Sequence, residues 1–162
     1  MLLISTAGLD FINLKDEKCS AFDCVSRCIN RFPYANDTER GMVSVTLQKD
    51  FAISAPSLIV VHVLFNLLKN AIHHSYESQS REVTISIGDE LSSKVIKVCD
   101  NGNGIPTQIR NKIFERFFTT QAPGEGAGLG LSFCYTAMKK MGGTITCISD
   151  SKSYSIFSLE FP

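Results

Sequence analysis

Along this chain, stretches with apolar residues every three or four positions give way to stretches that alternate at every second one, and the switches mark out elements. Ser20 to Phe32 places Phe22, Val25, Cys28, Ile29 and Phe32 on one helical stripe. Asp23 in its first turn and Arg31 in its last suit the helix dipole, and Pro33 stops it. Asn36-Asp37-Thr38 reads as a turn. Met42 to Gln48 then alternates, with Val43, Val45 and Leu47 on one side, which predicts a half-buried strand. Phe51 to Ser54 is a candidate hairpin partner across Lys49-Asp50.

The strongest helical pattern runs from Pro56 to about Ser78, with Pro56 suited to a first turn. Leu64, Leu68 and Ile72 give it a core face, backed by Val61, Phe65 and Leu67. His62, Asn66, Asn70 and His73 follow at steps of four, four and three, so they share a face. A polar stripe on so apolar a helix needs partners, either a neighbouring element or a ligand. Glu82 to Ile87 alternates as a strand, and after a turn at Gly88 to Ser93 the segment Lys94 to Cys99, with Val95, Ile96 and Val98 apolar, reads as another. A short helix is predicted over Pro106 to Phe114 and a mobile loop over Thr119 to Gly126. A helix over Leu129 to Met141 turns Leu131, Tyr135, Met138 and Met141 to the core, and Gly142-Gly143 ends it. Thr144 to Ile148 and Ser155 to Phe161 are the last strands.

Paired strands alternating with helices predict an α/β (α+β) two-layer sandwich, with a mixed, mostly antiparallel sheet of about five strands on three helices. A doubly wound Rossmann fold would alternate single strands with helices, so the order disfavours it.

Composition narrows the classes. The chain has 162 residues, 44% hydrophobic, enough for one cored domain. Sixteen basic and sixteen acidic residues balance, so nothing argues for wholesale nucleic-acid binding. No apolar run is long enough to span a bilayer, and Met1-Leu2-Leu3-Ile4 is too short for a signal peptide. The six cysteines (Cys19, Cys24, Cys28, Cys99, Cys134, Cys147) form no CxxC pair. Cys24 and Cys28 lie one helical turn apart with Cys19 nearby, but the spacing matches no common metal site, and reduced core thiols are the preferred reading.

The chemistry concentrates between Asp100 and Leu131. Asp100-Asn101-Gly102-Asn103-Gly104-Ile105-Pro106 opens that stretch and Gly124-Glu125-Gly126-Ala127-Gly128-Leu129-Gly130-Leu131 closes it. Glycine lets backbone approach a ligand closely, and a glycine run into a helix start offers free N–H groups to phosphate. Neither GxGxxG nor GxxxxGK[ST] is present. Asp100 at a strand end can accept a hydrogen bond from an exocyclic amine, a plausible adenine selector. Asn70 offers a hard amide oxygen suited to Mg²⁺ that bridges phosphates.

Asn66-Leu67-Leu68-Lys69-Asn70-Ala71, Asp100-x-Gly102-x-Gly104, Ile113-Phe114-Glu115-Arg116-Phe117-Phe118-Thr119-Thr120 and Gly126-x-Gly128-Leu129-Gly130-Leu131 resemble, in order, the N, first glycine, F and second glycine boxes of sensor histidine kinases. The resemblance covers about residues 20–162 and implies the Bergerat ATP-binding fold shared with gyrase, MutL and the heat-shock chaperone ATPases. It implies a catalytic pair, Asn70 binding Mg²⁺ and Asn66 supporting metal and phosphates. It implies a nucleotide site of Asn66, Asn70, His73, His74, Asp100, Gly102, Gly104, Ile105, Phe114, Arg116, Phe118, Thr119, Thr120, Gly126, Gly128, Leu129, Gly130 and Leu131. Phe114, Phe117 and Phe118 would hinge and seat a lid, or simply pack the core. His73 stands where the family often has Lys or Arg and His74 where it often has an aromatic, and an exposed helix end is the plainer account of both. Gln121 stands where many members carry Lys.

In the related ATPases the position of Asn66 is typically a glutamate that activates water. An amide cannot be a general base, which favours phosphoryl transfer over hydrolysis. His62, His73 and His74 lack the acidic neighbour of a phosphoacceptor histidine. The resemblance therefore implies a catalytic domain over residues 19–162, with residues 1–18 the tail of a helical dimerisation domain. It implies ATP and Mg²⁺ as cofactors, that helical domain and a response regulator as partners, and a cytoplasmic, monomeric unit of a membrane-bound sensor. A GHKL-type ATPase switch and a degenerate nucleotide- or partner-binding module are the alternatives.

Overall fold

A computed structural model describes residues 17–75, 81–90, 93–121 and 126–162. Most of the expected N-terminal tail, the helical residues expected after Ser75, the tip of the Gly88 to Ser93 turn and loop residues 122–125 lie outside them. The elements are β1 (Cys19–Ser20), α1 (Ala21–Arg31), α2 (Asp37–Gly41), β2 (Val43–Leu47), β3 (Ala52–Ile53), α3 (Ser57–His74), β4 (Val83–Glu90), β5 (Ser93–Asp100), α4 (Gly130–Lys140), β6 (Thr144–Asp150) and β7 (Tyr154–Phe161). Five strands form one sheet in the order β2-β4-β5-β7-β6. Only β2 against β4 is parallel. The expected mixed, mostly antiparallel sandwich is the observed one.

The core lies between this sheet and α1, α3 and α4. Val83, Ile85 and Ile87 of β4 share one buried cluster with Ile59, Leu64, Leu67 and Leu68 of α3. Helix α1 begins at Ala21, which turns its core face to Ala21, Cys24, Val25 and Cys28. Phe22, expected on that face, is largely exposed. On α4 the buried residues are Ser132, Phe133, Cys134, Ala137 and Met138, whereas Tyr135, expected inside, is 46% exposed.

Three local expectations are corrected. Phe51 to Ser54 is not a hairpin partner of β2. Asp50 accepts hydrogen bonds from the Phe22 and Phe51 amides (2.9 and 2.8 Å) and the Ser20 hydroxyl (2.8 Å). The Ala21 amide donates to the Phe51 carbonyl (3.0 Å). These bonds draw β3 onto β1 instead, with Cys19 opposite Ile53. This leaves β2 on the sheet edge, where Val45 and Leu47 are 38% and 48% exposed rather than half-buried. Second, Asn36 does not merely turn the chain. Its side chain accepts from the Glu39 amide (2.9 Å) and caps α2. Third, Pro106 to Phe114 forms no helix. Bonds of the i to i+3 kind, from Ile109 to Pro106, Lys112 to Ile109 and Glu115 to Lys112, make it a chain of turns.

Ser20 caps α1 by accepting from the Asp23 amide at 3.0 Å. Ser20→Ala removes this bond and the one to Asp50, and the expected loss is about 1 kcal/mol. A urea titration checks it, and an unchanged midpoint would remove the cap from the account of α1.

Candidate functional site

Four strand ends set the base of the site. Asp100 closes β5, pairs with Val83 of β4 and Ser155 of β7, and Ser155 pairs with Ser149 of β6. Asp100 is 5% exposed and its Oδ1 accepts from the Gly102 amide at 3.1 Å. Burial pushes its carboxyl up to about 6, and the Gly102 bond opposes this only in part. A carboxylate so placed favours any hydrogen-bond donor brought to it, because its lost hydration is otherwise unreplaced.

The glycines after Asp100 sit against backbone. A side chain at Gly102 would overlap the His74 carbonyl at the end of α3, and one at Gly104 would overlap the Asp150 carbonyl. Gly104 also takes a positive φ of 66°. The Ile105 amide donates to the Ser149 hydroxyl (2.7 Å), which donates to the Tyr154 carbonyl (2.6 Å). Arg110 donates from Nε to the Ile105 carbonyl (3.0 Å). The loop is thus stitched between α3 and the β6–β7 turn. Ser149, Ser155 and Arg110 were not singled out by sequence, since lone serines and an arginine carry no spacing signal.

Helix α3 reaches the second glycine cluster as well. The Asn66 amide nitrogen donates to the His62 carbonyl (2.9 Å), and Asn66 Oδ1 lies 2.9 Å from where a Gly130 side chain would begin. Gly130 is the first residue of α4, which has no side-chain cap and no acidic residue in its first turn. That leaves the positive end of its dipole without a side-chain counter-charge at the cap. Leu129 is exposed and Leu131 packs on the core. Asn70 is half-buried one turn beyond Asn66. His73 and His74 are exposed, with rings edge-on at 5.1 Å. His62 packs edge-on against Phe133 at 4.6 Å, and burial lowers its pKa. The polar stripe therefore divides: His62 and Asn66 meet α4, while the two histidines at its far end face solvent.

The aromatic segment borders the loop. Phe114 lies 5.9 Å from Tyr135 and 6.4 Å, edge-on, from Phe157. Phe118 is half-buried against the core. Phe117 is 69% exposed with a φ of 67°, and the Arg116 guanidinium sits 5.5 Å over its ring. The Phe117 amide donates to the Gly128 carbonyl (2.9 Å), tying the two sides of the loop together. Thr119 and Thr120 are exposed, and the Thr119 hydroxyl accepts from the Gln121 amide (3.1 Å). Gln121 lies against Gly126. Among the described residues no group of three or more His, Cys, Asp or Glu is placed to hold a metal ion, and the six cysteines are free thiols.

Residues 56–162 match the family described as "Histidine kinase-, DNA gyrase B-, and HSP90-like ATPase". The chain is 35% identical over 146 residues to the CAI-1 autoinducer sensor kinase/phosphatase CqsS of Vibrio cholerae, covering 90% of this chain and 21% of that protein. It is 37% identical over 113 residues to the adaptive-response sensory kinase SasA of Crocosphaera subtropica, covering 68% of this chain and 29% of that one. The chain thus spans less than a third of the length of these curated relatives. Among solved structures, full-length ShkA in complex with AMPPNP superposes with a TM-score of 0.80 at 21% identity, over 97% of this chain and 33% of that one. The mycobacterial sensor histidine kinase MprB superposes with a TM-score of 0.73 at 20% identity, over 90% and 96%. At these identities the two structures speak for the fold.

Proposed function

This chain belongs to the histidine kinase-, DNA gyrase B- and HSP90-like ATPase family, and from that premise we propose that it is the ATP-binding catalytic domain of a sensor histidine kinase, which takes Mg-ATP and passes the γ-phosphate to a histidine on a separate helical domain. One observation carries the reading: a single helix, α3, touches both glycine clusters. Its Asn66 meets the start of α4, and its His74 carbonyl meets Gly102 beside Asp100. Eight helical steps, from 66 to 74, separate those contacts, a span of about 12 Å, the scale of a nucleoside triphosphate. Asp100 at one end selects the adenine amine, and the α4 amides at the other receive phosphate oxygens.

Asn70 lies on α3 between the two contacts, and its amide oxygen is a hard donor. The residues present fit an ion held mainly by phosphate oxygens and water, with one protein ligand, which is how Mg²⁺ usually binds nucleotide. Asn70 would hold the ion, which would supply positive charge to the phosphate oxygens. Asn66 supports the phosphates and cannot take a proton from water. The Phe117–Gly128 tie holds the loop at the phosphate end. Transfer to a supplied histidine is therefore favoured over hydrolysis, and this argues against an ATP-driven switch of the gyrase type. The partners of this reading are the dimerisation and phosphoacceptor domain and a response regulator, and its setting is the cytoplasmic part of a sensor. No helix of the described residues is long and apolar enough to cross a membrane.

Calorimetric titration of ATP with Mg²⁺ tests the binding step. Adding the helical histidine domain with labelled ATP tests transfer. Absence of binding sinks the proposal, and hydrolysis without transfer moves it to the switch reading. Asn70→Ala is expected to weaken Mg-ATP binding about tenfold, equal to about 1.4 kcal/mol, while leaving binding in chelator unchanged. An equal loss in both conditions would take Asn70 away from the metal.

A further inference from the structure

The start of α1 carries a pair of thiols that the nucleotide site does not use. Ser20 is the cap of this helix. Cys19 is therefore the residue before the cap and Cys24 the fourth of the helix. Those are the two positions at which apolar side chains clasp across a helix start. Here the clasp is made of sulfur: the Cys19 and Cys24 side chains face each other across the helix start, close enough for each thiol to shift the other's pKa. Cys19 Sγ also donates to the Ala55 carbonyl at 3.3 Å. Asp50 holds the cap from outside by accepting from the Ser20 hydroxyl and the Phe22 amide.

The two thiols are unequal. Cys19 is half-buried and Cys24 fully buried. The neighbouring Cys24 thiol holds the Cys19 pKa below the usual thiol value, against the opposing effect of burial and helped by Arg27. Cys24 is raised by the Cys19 thiol beside it and by burial. Elsewhere burial pushes the Cys28 thiol up to about 12 and Cys147 up to about 11. A partly accessible cysteine beside a second, buried thiol is the arrangement that oxidises in a defined way.

We propose that Cys19 and Cys24 form an oxidisable dithiol, which a peroxide converts to an intramolecular disulfide across the start of α1. The Cys19 thiolate attacks one peroxide oxygen. The O–O bond breaks, hydroxide leaves and takes a proton to become water, and Cys19 is a sulfenic acid. Cys24, losing its proton, attacks that sulfur. The S–O bond breaks and a second water leaves. Two thiols and one peroxide give one disulfide and two waters. The disulfide removes the Cys19 donor from the Ala55 carbonyl, just ahead of α3. It thereby links redox state to the helix that carries Asn66 and Asn70.

The experiment treats the whole chain with hydrogen peroxide, alkylates the remaining thiols, and maps tryptic peptides. Cleavage after Lys18 and Arg27 leaves Cys19 and Cys24 on one peptide. The expected product is that peptide lighter by two hydrogens and unalkylated, restored by dithiothreitol, with Cys28 and Cys134 still alkylated on unfolding. In Cys19→Ser the peptide should keep an alkylatable Cys24 under the same dose. The wild-type map needs no variant to fold. A peptide that stays alkylated at both positions overturns the proposal. So does Cys19 accumulating as sulfinic acid beside an alkylatable Cys24, because the two sulfurs would then not meet.

Discussion

Replacing Asp100 by asparagine is expected to weaken ATP binding by about 10- to 100-fold and, at the same time, to stabilise the ligand-free protein at neutral pH. Both effects follow from one buried oxygen pair. Oδ1 is committed to the Gly102 amide, so the remaining oxygen is the one offered to an adenine amine. In asparagine the oxygen stays with Gly102 and the NH₂ group faces the base, donor against donor. The stability effect has the opposite sign. Burial raises the Asp100 carboxyl from 3.8 to about 6, so the folded protein holds that proton more tightly than the unfolded chain. The associated stability is complete below about pH 4 and is lost as pH rises through about 6, a difference of roughly 2–3 kcal/mol. At pH 7 the wild type carries the full cost of a buried charge and the variant does not. Thermal melts of the two proteins should differ most at pH 7 and converge toward pH 4. Calorimetry should show the loss of ATP binding at pH 7. Unchanged affinity would remove Asp100 from base recognition, and a variant melting lower at pH 7 would remove the buried-charge account.

Gly104→Ala should destabilise the protein by about 2–5 kcal/mol, the left-handed φ costing 1–2 and the overlap with backbone a further 1–3. The atom in the way is the Asp150 carbonyl oxygen, which cannot rotate aside as a side chain does. Relief requires the β6–β7 turn to move, and the Ile105 to Ser149 bond moves with it. Gly41→Ala is the control, since nothing lies within 4 Å of its new methyl. Denaturant melts of both variants should show a large loss in the first and little change in the second. Equal behaviour would mean that the close approach at Gly104 does not matter to the fold.

Much of the architecture is legible because alternation reports strands and three-to-four spacing reports helices. Val83, Ile85 and Ile87, or Leu64 and Leu68, announce their own faces. Partner choice is not written that way. The alternation of Val43, Val45 and Leu47 declares a strand but not its neighbour. Asp50 takes β3 away from it by holding the adjacent Phe51 amide together with Ser20 and Phe22, which are distant in sequence. Tyr135 has helical spacing that allows a core position, yet its ring lies outside beside Phe114. Within the site, Asp100 and the glycines are visible because their spacing is unusual. Ser149 is invisible because it is one serine among many until the β6–β7 turn brings it to Ile105.

The register of β2 carries one more consequence, for the order of assembly. Ser44 and Thr84 are 40 residues apart in sequence, and their hydroxyls meet at 3.1 Å. By contrast β4 with β5, and β6 with β7, pair with neighbours joined by short turns. Short loops close cheaply, whereas distant pairings wait until the intervening chain is in place. The two hairpins are thus expected to form first, and the pairings of more distant segments, β5 with β7 as well as β2 with β4, to follow once α3 has docked. Asp100 and Ser155, at the base of the candidate site, are then brought together only when the two hairpins join.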